Sequence, residues 1–126
     1  MAKYVDGFVF VVPSNKVSEY KKMAEEGAEV WMRHGALQYF ECKGEDLVTK
    51  EMGGMKALEF PKLTNAKQGD TVWFSFIVFK SREHRDEVNK KVMDEMNEKY
   101  KDIKDFSMPF DMAKMAQGGF EAVVEK

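Results

Sequence analysis

This chain is short of four things: cysteine, histidine, long apolar runs and an excess of either charge. Each shortage removes a class of function. A lone Cys42 excludes an intramolecular disulfide, and a single thiol suits a reducing cytoplasm. His34 and His84 have no further His or Cys at the spacing of a structural zinc site, so no metal and no cofactor is expected. A membrane helix needs about 20 consecutive apolar residues, and no run approaches that. Twenty basic residues against twenty-two acidic ones give a net charge of −2, which offers nucleic acid or an anionic membrane no electrostatic hold. The start, MAKYVDGF, carries Asp6 where the core of a secretory signal would run, so a cytoplasmic protein is expected. Phosphate loops, nucleophile elbows and triad spacings are missing too; Gly53-Gly54 and Gly118-Gly119 read as turn or bulge signals.

What is present belongs to one globular domain, 1–126, with 44% hydrophobic residues. Its most informative stretch is Thr71 to Lys80, TVWFSFIVFK. Val72, Phe74, Phe76 and Val78 line one face of this strand, and Trp73, Ile77 and Phe79 line the other, with Ser75 among them. A strand apolar on both faces must be covered on both. The helices suffice for one face, so the second cover is expected to be another copy of the chain. The ten methionines read as soft filler of core or interface.

The remaining elements follow from local pattern. Tyr4 to Val12 reads as a strand, ended by Pro13, with Ser14-Asn15 offering a helix cap. Val17, Tyr20, Ala24, Gly27 and Trp31 make a helical stripe within Lys16 to His34, and Gly35 is placed to terminate it. Ala36 to Lys43 reads as the second strand. Gly44 to Asp70 is the least defined segment; Lys56 to Leu63 is expected as a short extended arm, interrupted by Pro61 and so at an edge. Ser81 caps a second helix, Glu83 to Tyr100; FSMPF, Phe106 to Phe110, is an apolar loop; and Met115 to Glu125 closes the chain as a strand.

Strand, helix, strand, strand, helix, strand is the α+β, ferredoxin-like βαββαβ pattern: a four-stranded antiparallel sheet with both helices on one face. The small residues Val5, Gly7, Val9 and Val11 are expected to pack under the helices. The opposite face, with Tyr4, Asp6, Phe8, Phe10, Leu37, Tyr39, Glu41, Trp73 and Ser75, is expected to meet the second copy.

YVDGFVFVVP, AEVWMRHGALQYFEC, FSFIVFKSREHRDEVN and SMPFD followed by GGFE resemble the YbaA-like bacterial family of unknown function, within the dimeric α+β barrel superfamily. The resemblance spans almost the whole chain and is weakest over Lys50 to Lys67. It implies a ferredoxin-like protomer and a homodimer whose sheets form a barrel. It implies no reaction, since the superfamily holds cofactor-independent oxygenases, haem-degrading enzymes, isomerase-like proteins and plain ligand binders.

Candidate chemistry starts from Asp6 and Glu41, carboxyl groups in apolar strands. Together they suit general acid–base work, or else a backbone cap and an interfacial ion pair. His34 suits a proton shuttle or a helix C-terminal charge. His84, with Arg82 and Arg85, suits an anion site or a packing role. Cys42 reads as a buried structural thiol. Phe8, Phe10, Tyr39 and Trp73 offer flat surfaces for an aromatic ligand or simply fill the interface. Ser75 needs a hydrogen-bond partner when buried, for which Asp6 or a water would serve. Two functions follow. One is a homodimeric binder or small enzyme with an apolar pocket, catalytic through Asp6 or His34 and binding its ligand through Phe8, Tyr39, Glu41, Trp73 and Ser75. Its chemistry would be proton transfer or cofactor-independent oxygenation of an aromatic-like substrate. The other is a non-catalytic dimer module whose barrel is filled by side chains. Neither engages nucleic acid or membrane.

Overall fold

The computed structural model describes residues 2–104 and 107–126. Four strands, β1 (Tyr4–Pro13), β2 (Gln38–Lys43), β3 (Asp70–Phe79) and β4 (Ala116–Glu121), form one sheet in the order β2-β3-β1-β4. Every neighbouring pair is antiparallel. Helices α1 (Val17–Arg33) and α3 (Arg82–Tyr100) pack on one face, and a four-residue helix, α2 (Phe60–Leu63), lies in the long connection. This is the expected α+β ferredoxin-like fold.

Local chemistry sets the helix ends. His34 closes α1, and Gly35, at φ +115°, takes the turn that a Cβ resists. Ala36 N–H then donates to Trp31 C=O at 3.0 Å and Gly35 N–H to Met32 C=O at 3.2 Å, a Schellman closure. Ser81 caps α3, its hydroxyl accepting from His84 N–H at 3.1 Å. Ser14 and Asn15 do not cap α1; Ser14–Lys16 form a 3₁₀ turn that runs into the helix without a side-chain cap. Pro61 starts the helical turn of α2 instead of interrupting an extended arm, because its fixed φ and missing N–H suit a helix's first residues. Gly118-Gly119 makes no bulge: β1 and β4 pair without a break from Tyr4↔Glu121 to Val9↔Ala116. Phe106 of the FSMPF loop lies outside the described residues.

The core corrects the face assignment. Phe10, Val12 and Trp73 pack against Tyr20 and Ala24 of α1, while Ile77 and Phe79 pack against Val30 of α1 and Val88 and Val92 of α3. The helices therefore cover the face of Asp6, Phe8, Phe10, Tyr39, Glu41, Trp73 and Ser75, which was expected to meet a second copy. Bulky side chains are needed there to fill the separation between sheet and helix layers. The small-residue face, Val5, Gly7, Val9 and Val11, is the outer one, with Val11 buried there opposite Val72. Phe40, Phe74 and Phe120 on that side are 46%, 47% and 62% exposed, and Phe40 stacks on Phe76 with ring centroids 4.9 Å apart. Cys42 pairs with Phe74 across β2 and β3 and is exposed, not a buried thiol.

Candidate functional site

Between the sheet and the two long helices lies a cavity of about 750 Å³. Strand register lays out its floor. Glu41 on β2 faces Ser75 on β3, which faces Phe8 on β1, which faces Gln117 on β4. One step along each strand pair, Tyr39, Ile77, Asp6 and Gly119 form a second row. Directly opposed residues project from the same side of a sheet, so both rows face the helices. From above, α1 contributes Tyr20, Ala24, Gly27 and Trp31, and α3 contributes Arg85, Asn89, Met93 and Met96. Met108, Phe110, Met112 and Met115 close the side near β4, so that six of the ten methionines line the space once Met23 is included.

The polar groups gather at two poles. At one, the Tyr20 hydroxyl donates to both oxygens of Glu41, at 2.9 and 2.8 Å, and the Tyr39 hydroxyl donates to Oε1 at 2.8 Å. Burial pushes the Glu41 carboxyl above the usual carboxylate range, and the two phenol hydrogen bonds only partly offset it. Burial and the neighbouring carboxylate push both phenols well above their ordinary range, so they remain donors at neutral pH. At the other pole, Arg85 Nη1 donates to Asp6 Oδ1 at 2.6 Å, and Asn89 Nδ2 to Oδ2 at 3.3 Å. Asn89 in turn accepts from Trp31 Nε1 at 3.0 Å, tying α1 to α3. Arg85 lies 4.8 Å over the ring of Tyr4. Its burial opposes the charge, but hydrogen bonding to Asp86 and the field of Asp6 outweigh it and raise its pKa. At the rim, Glu26 is held below its usual range, first by its hydrogen bond from Lys99 and then by that from Tyr100.

Five of the expected site residues meet in this cavity: Asp6, Phe8, Tyr39, Glu41 and Ser75. Two do not. Trp73 lies in the core against Phe10 and Tyr20, its Nε1 donating to Thr71 Oγ1 at 2.9 Å. His34 faces Glu95, 2.8 Å from Nε2, which Arg33 also engages. Asp6 and Glu41 are not a pair, since two strand spacings of about 4.8 Å separate β1 from β2. Nor does Asp6 serve Ser75. Among the described residues the Ser75 hydroxyl has no hydrogen-bond partner, yet no fully enclosed side-chain polar atom goes unpaired, so it opens to the cavity. His84 accepts from Lys80 N–H through Nδ1 at 3.0 Å within the α3 cap. Sequence reasoning missed Tyr20 and Asn89 as polar groups of the site. Tyr20 was legible as part of the α1 stripe, whereas Asn89 lies on a second α3 face, Arg85, Asn89 and Met93, spaced by four beside the Val88–Val92 core stripe. Among the described residues no group of three or more His, Cys, Asp or Glu side chains is arranged to hold a metal ion, and no helix is long and apolar enough to cross a membrane.

Comparison with known proteins adds a family and a fold. The family model described as protein of unknown function (DUF1428) matches residues 3–112. The uncharacterized protein YbaA of Escherichia coli K12 is 36% identical over 126 residues, covering 98% of this chain and 99% of the relative. The YbaA protein of Shigella flexneri is similar to the same extent. A crystal structure described as a dimeric ferredoxin-like protein from an uncultured marine organism superposes with a TM-score of 0.60 at 11% identity, over 100% of both chains.

Proposed function

Since this chain belongs to the DUF1428 family of proteins of unknown function, we propose from its own geometry that it is a homodimeric small-molecule-binding protein with an apolar pocket inside each protomer. The observation that carries the reading is the cavity of about 750 Å³, bounded by aromatic and methionine side chains with a few convergent polar groups. Small-molecule sites span roughly 300–1,000 Å³ and share that composition. Flat walls from Phe8, Phe10, Trp31 and Tyr39 suit an aromatic or otherwise apolar ligand, and flexible methionines adapt to its outline. Of the three carboxyl groups that line it, Glu26 sits at the rim and Asp6 and Glu41 stand on the strand floor, so we assign proton transfer on the bound molecule to Asp6 and Glu41 and not to His34. The dimer is supported by the exposed Phe40, Phe74 and Phe120 on the outer sheet face and by the description of the marine neighbour as dimeric. A second copy, sheet against sheet, is the occupant we assign to that face. The exposed single thiol suits a reducing cytoplasm.

Native mass spectrometry with tryptophan fluorescence tests both parts. The expected mass is twice that of the chain. Because Trp31 borders the cavity, titration with neutral aromatic alcohols should give a saturable change in its emission. Ser75→Phe, which fills the middle of the floor, should remove that change and leave the mass doubled. A monomer at micromolar concentration overturns the dimer; a ligand response that survives Ser75→Phe overturns the pocket.

A further inference from the structure

Three carboxyl groups line the cavity, and they are not equivalent. Asp6 is paired with Arg85 at 2.6 Å, and Glu26 with Lys99. Glu41 takes part in none of the ion pairs among the described residues. An uncompensated carboxylate away from bulk water is costly unless a cation or hydrogen bonds answer it. Here two phenols answer in part. Each phenol has one O–H, so Tyr20 and Tyr39 together supply two donated bonds to a carboxylate with about four acceptor positions. About two positions are left for a donor from the cavity.

The surroundings of Glu41 select the kind of donor. Tyr39 packs at a tilt against Trp31 with ring centroids 6.1 Å apart, and Tyr20 packs edge-on to Phe10 at 5.2 Å. Phe8 lies one strand beyond Ser75 in the same row as Glu41. Aromatic faces around a carboxylate attract organic cations through the ring quadrupole, while the apolar walls accept the attached hydrocarbon. We infer that the pocket takes a lipophilic organic amine, bound as its ammonium ion, with the nitrogen at Glu41 between Tyr20 and Tyr39 and the hydrocarbon along the methionine wall. This rests on the pocket reading above and names its substrate class. An anionic ligand placed at this pole meets Glu41 as a like charge and is disfavoured there.

The test is calorimetry at pH 8 with 2-phenylethylammonium, tryptammonium and hexylammonium, each against the alcohol of the same skeleton. Each amine is expected to bind the wild-type protein about tenfold or more tightly than its alcohol. Glu41→Gln should erase that preference and leave alcohol binding in place. The wild-type comparison needs no variant, so a Glu41→Gln protein that fails to fold does not protect the inference. Alcohols binding as tightly as amines overturn the inference and leave the pocket standing. A preference that survives Glu41→Gln overturns the assignment to Glu41. Binding of neither series overturns the inference and the pocket together.

Discussion

Phe74→Ala is the sharpest probe of the proposed assembly. Phe74 sits on the outer face of β3, opposite Val9 of β1 and Cys42 of β2, and is 47% exposed in the protomer. Its ring lies 5.9 Å from that of Phe76, which stacks on Phe40. Complete burial of a phenylalanine stabilises by about 1.5–3 kcal/mol, and half of that is already realised within the protomer. Docking a second sheet recovers about 1 kcal/mol from each copy, and a two-fold interface uses the residue twice. Truncation at a packed interface also leaves a void, which raises the loss to about 2–4 kcal/mol per dimer. The dissociation constant should rise by about 30- to 1,000-fold. Sedimentation velocity over a dilution series reads this directly, and urea unfolding checks that the protomer itself has changed little. A dissociation constant that does not move would refute the claim that β3 is two-sided because a second copy covers it.

Three further outcomes concern the protomer itself. Phe79 is fully buried among Val30, Val88 and Val92, so Phe79→Ala should cost about 3–5 kcal/mol in urea unfolding; a loss below 1 kcal/mol would contradict the packing. A Cβ on Gly119 would lie 2.6 to 2.8 Å from Cε2 and Cζ of Tyr4, whose ring is held under Arg85; Gly119→Ala should cost about 1–3 kcal/mol, and Tyr4→Ala in the same chain should relieve part of it. Two carboxyl groups should give opposite pH signatures in urea midpoints measured from pH 2 to 8. Glu95, held at about 2 by hydrogen bonds first from Arg33 and then from His34, contributes stability that is present above the unfolded carboxylate value and lost as pH falls toward 2. Glu41 is raised by burial, so the folded state binds its proton more tightly than the unfolded one. Its ionisation therefore subtracts stability as pH rises above the unfolded value, and Glu41→Gln should gain on wild type over that window. Midpoints that do not fall as pH approaches 2 would refute the Glu95 assignment, and a Glu41→Gln protein that loses ground to wild type as pH rises would refute the Glu41 assignment.

Much of the fold was legible because its signals are local. The α1 stripe, the Gly35 termination, the Ser81 cap and the order of strands and helices each depend on residues a few positions apart. Pro61 was misread because proline breaks a strand and begins a helix by the same chemistry, and only the backbone shows which applies. Trp73 alternates in step with Ser75, which made it a candidate for the ligand wall. Its ring is instead consumed by packing against Phe10 and Tyr20, a decision of the neighbouring helix. His34 was proposed on residue type and position alone, and its partner Glu95 lies 61 residues away, beyond any local pattern.

A ferredoxin-like α+β chain with a sheet apolar on both sides is written in the order of its residues. Alternation along a strand and the three-to-four spacing of a helix stripe are properties of neighbouring residues. Which of the two faces the helices cover is settled by packing in three dimensions. Alternation divides a strand into two faces without labelling either as inner. The label comes from whether Phe10, Trp73 and Phe79 or Val5, Gly7 and Val9 have the volume to fill the space beneath α1 and α3. That choice moved Asp6, Tyr39, Glu41 and Ser75 from an expected interface between two copies to a pocket within one, and left Phe40, Phe74 and Phe120 on the outside.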